Sequence, residues 1–390
     1  MLQIKGKYNS ALLMTDYLDE ATISQLYTMM NHPAFKGEPF RIMADAHAGK
    51  GSCVGFTFKM NDYIVPNVVG VDLGCGIDGY NLGQPEMLMK EDGFERVDNF
   101  IRQNIPHGHK VRQEMSMKVE TLASLHNSFT HSFLEYLVKI SNKIESDLNY
   151  NYMSLGTLGG GNHFIEIDKD EDGNFWLLVH SGSRNFGLKV CNYHQDKAKK
   201  LMNKMFIGDA YKGLEFLPMD EGGIEYLDDM FIAQEFASIN RDIIASDILE
   251  FITGKDIYVD EVVKTTHNYV NDDDRIIRKG AIQANKGQKV LIPLNMRDGV
   301  IVGTGKGDKT WNNSAPHGAG RKLSRKQAKE KLSLDVYKKQ MDGIFTTSVS
   351  EKTKDEAPDA YKDKNEIIEA VKLVADIDFI MKPVYNFKAN

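Results

Sequence analysis

The chain has 390 residues, of which 42% are hydrophobic and 26% are charged, and its formal net charge is -7 at pH 7. This length and composition allow a large buried core and exclude an intrinsically disordered chain. The acidic balance argues against nucleic-acid binding through overall charge, so any site for a polyanion must be local. The three cysteines, an odd number without paired spacing, argue against a disulfide framework.

The sequence has no run close to the roughly 20 apolar residues that a membrane-spanning helix needs. Its first residues lack the apolar stretch of a signal peptide. We therefore expect a cytoplasmic protein without membrane contact. Neither an internal repeat nor a linker-like segment is present, which predicts one domain over residues 1–390.

The predicted elements mix strands and helices along the chain. Glycine-rich turns alternate with apolar, strand-like runs up to about residue 80, residues 110–150 are predicted helical, and short strands are expected at 164–167 and 175–180. Helical spacing returns at 231–252 and 365–377, and loop-like stretches cover 206–225 and 348–360. Ser324 and Gln327 form a capping-box pattern that predicts a basic helix reaching about Met341. This mixture is typical of an α+β protein with central β-sheets and surrounding helices.

Five residues of metal-ligand type stand beside glycine or asparagine. Asp72 and Cys75 lie in GVDLGCGIDG, where a tight turn would expose both side chains. His163 begins a predicted strand, His180 ends another, and His267 ends a probable helix. One such histidine is more often a core residue, and one such cysteine is more often buried, but all five together indicate a metal site. Ligand softness alone suggests zinc, and a thiolate can bridge two ions.

A basic, glycine-rich segment, NNSAPHGAGRKLSR, covers residues 312–325 and contains His317. Small residues after this histidine leave room for a bulky ligand, and Arg321 and Arg325 follow it closely. A loop before a solvated basic helix is the alternative interpretation, which we favour for Lys322, Lys326 and Lys329.

The motifs together resemble the RtcB family of RNA ligases, in particular its short bacterial-type subgroup. They are, in chain order, MADAHAGKG, VDLGCG, GTLGGGNHFIEI, VHSGSRNFG, AQEFASINR, RKGA, APHGAGRKLSR and EAPDAYKD, and the resemblance extends from about residue 43 to Lys388. It implies a single-domain RtcB-like fold and a GTP-dependent enzyme with two Mn²⁺ ions. Such an enzyme joins RNA with a 3′-phosphate or 2′,3′-cyclic phosphate to RNA with a 5′-hydroxyl. The implied partners are RNA with broken ends, in RNA repair or tRNA splicing, and an activating protein is a further candidate.

The resemblance also assigns roles to residues. His317 matches the histidine that becomes guanylylated, and Asp45 matches a residue involved in proton handling. One ion would be bound by Asp72, Cys75 and His163, and the other by Cys75, His180 and His267. The implied nucleotide-binding residues are Asn162, Glu166, Arg184, Asn268, His317, Gly318, Ala319, Gly320, Arg321, Arg325, Tyr361 and Lys388. The arginines would bind phosphates, and Glu166 would accept hydrogen bonds from guanine.

Several alternatives remain beside this assignment. Glu166 could be an exposed strand position, Tyr361 a helix-cap contact and Lys388 part of a frayed terminus. Arg297 and Asp298 stand where the family has a guanine-contacting serine, which puts base recognition by this segment in doubt. Two other functions would use the same residues. One is a binuclear-metal phosphoesterase acting on RNA ends, which needs no guanylylated histidine, and the other is a non-catalytic RNA-binding relative.

Overall fold

The computed structural model describes residues 2–125, 133–205, 211–255 and 261–389. Its strands are β1 (Leu2–Lys5), β2 (Ser10–Leu13), β3 (Phe40–His47), β4 (Val54–Lys59), β5 (Tyr63–Ile64), β6 (Gly76–Gly83), β7 (Phe164–Lys169), β8 (Phe175–Ser181), β9 (Leu217–Pro218), β10 (Val262–Thr266), β11 (Asn268–Val270), β12 (Ile276–Lys279), β13 (Ala281–Gln283), β14 (Lys289–Asn295), β15 (Gly299–Gly305), β16 (Ser314–Pro316) and β17 (Ala375–Lys388). Its helices are α1 (Glu20–Met30), α2 (Pro66–Val69), α3 (Gly93–Asn104), α4 (Lys118–Leu125), α5 (Phe133–Lys143), α6 (Leu148–Ser154), α7 (Arg184–Lys204), α8 (Gly223–Thr253), α9 (Arg325–Lys331), α10 (Leu334–Gln340) and α11 (Lys364–Val371). The predicted α+β class is confirmed.

Two large sheets organise the chain. The first has the order β1-β2-β3-β4-β12-β11 and the second the order β10-β6-β8-β7-β17-β15-β14. The β2–β3 pair is parallel, whereas the other pairs of these sheets are antiparallel. His267 is the single residue between β10 and β11, so it stands where the chain passes from the second sheet to the first.

The 31-residue helix α8 packs against strands of both large sheets, and 20 of its residues are buried. It contacts strands β6 and β8 and helices α3, α4, α5 and α7. Because apolar residues on several faces of this helix are buried, the helix is stable only when other elements enclose it. Its buried polar residues Asn240 and Arg241 therefore need hydrogen-bond partners nearby.

Side chains of β7 alternate between two faces, as the two-residue period of a strand requires. Ile165 and Ile167 pack in an apolar cluster with residues of α3 and α8, such as Ile101 and Ile248. Phe164 lies in a different cluster, which also contains Trp176 and Met381. The face that carries Phe164 is thus also the face of Glu166.

Some predicted elements are wrong in extent or type. Segment 110–150 contains α4, α5 and the start of α6, but no helix covers 110–117; residues 126–132 lie outside the described ranges. The predicted loop 206–225 already contains the start of α8, and its residues 206–210 are not described. The helix near the end of the chain stops at Val371, although Val374 is buried as expected.

Two further differences concern the site. His267 follows strand β10 and does not end a helix, because the β-branched residues before it pair with β6. The capping box of Ser324 and Gln327 is confirmed, but the basic helix is divided into α9 and α10. Ser333 precedes α10 as a second N-cap residue, a position that serine favours.

Candidate metal and nucleotide site

A cavity of about 1090 Å³ is lined by residues of both large sheets. The implied site residues that line it are Asp72, Cys75, Asn162, Glu166, His180, His267, Asn268, His317, Gly318, Ala319, Gly320, Arg321, Arg325, Tyr361 and Lys388. Three others, Asp45, His163 and Arg184, are not among the lining residues. Residues that are far apart in sequence therefore meet in one cavity.

The first group of possible metal ligands consists of Asp72, Cys75 and His163, whose ligand atoms lie within 4.8 Å of one another. His163 Nε2 is 3.1 Å from Asp72 Oδ2 and 3.5 Å from Cys75 Sγ. The other ring nitrogen, Nδ1, is 2.9 Å from the carbonyl oxygen of Leu158. A backbone acceptor at Nδ1 fixes the ring so that Nε2 is available to a cation.

The second group consists of Cys75, His180 and His267, again within 4.8 Å. Cys75 Sγ is 3.4 Å from His180 Nε2. The backbone N–H of His267 donates to the carbonyl oxygen of Cys75 at 2.9 Å, which joins β10 to the turn before β6. The two groups share Cys75 and have the same members as the two ligand sets implied by the resemblance.

The protonation preferences of these residues fit a cation. Burial, together with the neighbouring Asp72, raises the pKa of the Cys75 thiol well above its usual range. Burial lowers the pKa of His180 and of His267 well below the usual range, which leaves both imidazoles neutral. Neutral imidazole is the form that binds metal ions, and a divalent cation would stabilise the thiolate.

His317 follows β16 and lies beside the second ligand group, with its ring centroid 4.8 Å from that of His267. Its Nδ1 is 2.6 Å from Asp45 Oδ2, and its backbone N–H donates to the same oxygen at 3.1 Å. Gly320 has φ +72°, and a Cβ there would collide with the backbone carbonyl of Asp45. The turn after His317 therefore requires glycine for its close approach to β3.

Arg184 is the first residue of α7, and its charge helps to lower the pKa of Asp72 in the first ligand group. Its Nε donates to Thr157 Oγ1 at 3.0 Å and its guanidinium donates to the carbonyl oxygen of Gly108 at 2.8 Å. Gly159, with φ +84°, allows this approach, because a Cβ there would overlap the guanidinium and crowd His163. A fixed positive charge therefore stands next to the candidate metal ligands.

Glu356 is a buried carboxylate that the sequence patterns did not single out, although it begins the motif EAPDAYKD. Four of the implied nucleotide-binding residues contact it: Arg321 at 3.2 Å, Arg325 at 2.9 Å, Tyr361 at 2.6 Å and Lys388 at 2.9 Å. Burial alone would raise the pKa of Glu356, but Lys388, Arg325 and Arg321 lower it to about 2. The acid thus holds these side chains together at the cavity wall.

Glu166 and Lys388 are buried rather than exposed or frayed, and Tyr361 is half-buried. Glu166 is 3% exposed and accepts a hydrogen bond from Asn386. Lys388 is 4% exposed, ends strand β17, and its Nζ donates to the carbonyl oxygen of Asn162 at 3.4 Å. Tyr361 directly follows a short 3-10 turn, and its hydroxyl reaches Glu356.

The amide of Asn268 is used within the protein. Its Nδ2 donates to the carbonyl oxygen of Asp72 at 3.2 Å, and its Oδ1 accepts from the Gly280 N–H at 3.1 Å. The side chain thereby connects the turn that carries Asp72 to the chain between β12 and β13.

The departure at Arg297 and Asp298 lies in the hairpin of β14 and β15. Asp298 pairs with Arg297 at 2.9 Å and with Lys364 at 3.1 Å. Neither residue of this departure lines the cavity, whereas Asn295 and Met296 do. The hairpin therefore reaches the cavity through the two residues that precede the departure.

Asn240 and Arg241 of α8 support the backbone around the ligands. Asn240 Nδ2 donates to the carbonyl oxygens of Thr157 and Gly182, both at 3.1 Å. Arg241 donates to the carbonyl oxygens of Gly74 and Ser181, which adjoin Cys75 and His180, at 3.0 and 3.1 Å. One helix thus fixes the segments beside several candidate ligands.

The fold thus encloses a cavity in which clustered side chains of metal-ligand type lie near a histidine and near arginine and lysine side chains that pair with Glu356. The family model described as tRNA-splicing ligase RtcB matches residues 25–389. RNA-splicing ligase RtcB of Escherichia coli K12 is 32% identical over 375 residues, covering 88% of each chain. The tRNA-splicing ligase RtcB of Archaeoglobus fulgidus is 26% identical over 411 residues, covering 85% of this chain and 83% of its own. The chain belongs to the RtcB family.

Across the part of the chain that the structure describes, no helix has the length and apolar character needed to cross a membrane.

Proposed function

We propose that the protein is a GTP-dependent RNA ligase that joins a 3′-phosphate or 2′,3′-cyclic phosphate end to a 5′-hydroxyl end. It acts through a covalent bond between His317 and GMP, followed by transfer of GMP to the RNA 3′ end. The observation that carries this proposal is the position of His317, beside His267 and hydrogen-bonded to Asp45. Membership of the RtcB family and the ligase names of the relatives support it.

In this proposal the two ligand groups would hold two Mn²⁺ ions, and Cys75 belongs to both groups. The donor set fits divalent cations, because it combines neutral imidazoles with a buried thiol and a carboxylate. When bound, the ions neutralise phosphate charge and orient the reacting groups. Because the ligands of both groups and His317 come from distant parts of the sequence, we propose that residues 1–390 form one domain.

The chain's own residues supply the nucleophile. Asp45 accepts a hydrogen bond from His317 Nδ1, which leaves the lone pair on Nε2 for attack on the α-phosphorus of GTP. The N–P bond forms as the bond to pyrophosphate breaks, and the resulting phosphoramidate is labile enough to pass GMP to RNA. Arg325, which lines the cavity, supplies a planar donor fork to a phosphate. Arg184 and Arg321, whose guanidinium groups donate to Gly108, Glu356 and the Asp355 carbonyl oxygen, contribute positive charge beside it.

Guanine binds where Glu166, Tyr361 and Lys388 line the cavity. The Glu166 carboxylate accepts hydrogen bonds from the N1–H and the 2-amino group of the base. The Asn162 side-chain amide binds a phosphate group of GTP, a role that the resemblance implies. RNA with broken ends is the proposed partner, in RNA repair or tRNA splicing.

Replacement of His317 tests the proposal directly. His317→Ala should abolish transfer of label from α-³²P-GTP to the protein, because no phosphoramidate can form. Metal binding should persist, since His317 is outside both ligand groups. The variant should still join an RNA whose 3′ end is already guanylylated, which no longer needs the nucleophile.

Peptide mapping of the labelled wild-type protein locates the bond, and His109→Ala, a change at an exposed histidine, is the matched control. Label on a lysine peptide, or on the His317→Ala protein, would contradict the proposal. Release of phosphate from RNA ends without labelled protein would instead indicate the phosphoesterase.

A further inference from the structure

Asp168 is a buried carboxyl group next to the proposed guanine site. It lies two residues after Glu166 on β7, so the two side chains share one face of the strand. Two residues along a strand span about 6.6 Å, a gap that two carboxyl side chains can close. Asp168 is 0% exposed, and Glu166 is the member of this pair that lines the cavity.

The neighbours of Asp168 offer it no hydrogen-bond donor. Across β8 it pairs with Trp176, whose indole N–H donates to Asp170 at 3.0 Å. Across β17 it pairs with Pro383, which has no N–H. Among the described residues, no group donates a hydrogen bond to either carboxyl oxygen of Asp168. A buried carboxylate without donors is costly, so this group is expected to be neutral.

Glu166, by contrast, has polar partners. Asn386 of β17 lies opposite Glu166 in the sheet and donates to its carboxylate. The positive charge of Lys388 also acts on Glu166, whereas Lys382 is the cation that acts on Asp168 and is exposed. The β8 residues opposite this pair, Leu178 and Trp176, carry no charge. Of the two acids, Glu166 therefore has the surroundings that favour ionisation.

The pKa shifts agree with this division. Burial raises the pKa of Glu166 to about 7. Burial and the neighbouring Glu166 raise the pKa of Asp168 well above its usual range. Above about pH 7 the pair thus retains one proton, and Asp168 holds it.

We infer that Asp168 is a positioning residue for guanine recognition: as a neutral carboxylic acid it donates a hydrogen bond to Glu166, which keeps Glu166 an ionised acceptor for the base. The inference rests on the proposed guanine-binding role of Glu166. A donor behind the carboxylate stabilises its charge, and its other lone pairs remain for the N1–H and 2-amino groups.

The test compares two variants of similar side-chain size. Asp168→Asn keeps an N–H donor, whereas Asp168→Leu removes the donor. Binding of the α,β-methylene analogues of GTP and ATP is measured by calorimetry with Mn²⁺ between about pH 6 and 8.5, a range around the pKa of Glu166. Neither analogue can transfer its nucleotide, so only binding is observed. Asp376→Asn, an exposed change elsewhere on β17, is the matched control.

The wild-type protein should bind the guanine analogue more tightly as pH rises through about 7, because Glu166 accepts hydrogen bonds only when it is deprotonated. Asp168→Leu should weaken this binding at pH 7 by at least about tenfold, the effect of losing one hydrogen bond to a charged group. In Asp168→Leu the midpoint of the pH dependence of guanine-analogue binding should move to higher pH, and the affinity for the adenine analogue should not change. Asp168→Asn should stay within a few-fold of the wild type.

Opposite results would overturn the inference. Tighter guanine binding in both variants, with a lower pH midpoint, would show that Asp168 is ionised and repels Glu166. The Asp168→Asn variant alone would show this increase in affinity, so the inference can be tested even if Asp168→Leu fails to fold. Unchanged binding in folded Asp168→Leu would show that Asp168 has no part in base recognition. Equal wild-type affinity for the two analogues would instead refute guanine recognition itself, and with it the proposed function.

Discussion

Cys75 is the residue at which the two candidate ligand groups meet. Cys53 and Cys191 are equally buried, and burial raises the pKa of each to about 12. Burial alone therefore does not distinguish the three thiols. The difference lies in the neighbours, since imidazole nitrogens of His163 and His180 lie within 3.5 Å of Cys75 Sγ.

Removal of the shared sulfur should affect both proposed ions at once. Cys75→Ala should abolish Mn²⁺ binding and guanylylation together, because each ion loses a ligand and the histidines lose their shared anion. Elemental analysis of the dialysed protein and α-³²P-GTP labelling measure the two effects. Cys53→Ala and Cys191→Ala are matched controls that should retain both. A folded Cys75→Ala protein with normal Mn²⁺ content and labelling would exclude a bridging role.

At the scale of elements, local patterns predicted the helix at 231–252, the strands that begin at Phe164 and Phe175, and the capping box at Ser324. The segment before His267 was misassigned because its pairing with β6 decides the strand, and that pairing is not a local property. Glu356 was missed for a similar reason. Its partners come from three separate segments, and only the folded chain brings them together.

Helix α8 shows how an element can stabilise a site that it does not line. Asn240 is fully buried, and its Oδ1 accepts from the Thr157 N–H at 3.0 Å while its Nδ2 donates to three oxygens. Two of the segments it holds adjoin ligands: Gly182 follows His180 closely, and Thr157 precedes His163. Loss of this amide would free both segments.

Asn240→Ala should therefore lower the free energy of unfolding by about 1–3 kcal/mol, because buried polar groups lose their partners. It should also weaken Mn²⁺ binding by roughly tenfold or more, if misplacement of the ligands costs about 1.4 kcal/mol. Denaturant unfolding and calorimetric titration with Mn²⁺ measure the two effects separately. Glu250→Gln, at an exposed position of the same helix, is the control. Reduced stability with unchanged Mn²⁺ affinity would limit Asn240 to a role in folding.

At the scale of the whole molecule, the two large sheets are connected through His267, and the cavity draws on both. The candidate ligands come from the turn before β6, the residue just before β7, the β8 strand and the junction of β10 with β11. None of these segments forms the cation site alone. This arrangement supports the prediction of one domain, since a division of the chain between Asp72 and His267 would separate the ligands.

The junction at His267 also has a consequence for the order of folding. Contacts between residues distant in sequence form slowly, so the ligands should converge only after β10 has paired with β6. Mn²⁺ should then slow unfolding by at least about tenfold at saturation while leaving the refolding rate nearly unchanged. Stopped-flow fluorescence with and without Mn²⁺ measures both rates, and Cys75→Ala should show no effect of the ion. Faster refolding in Mn²⁺ would mean that the ligands assemble early. With late assembly, a nascent chain that still lacks His267 cannot hold the second ion, so binding of both ions waits until at least 267 of the 390 residues have been synthesised.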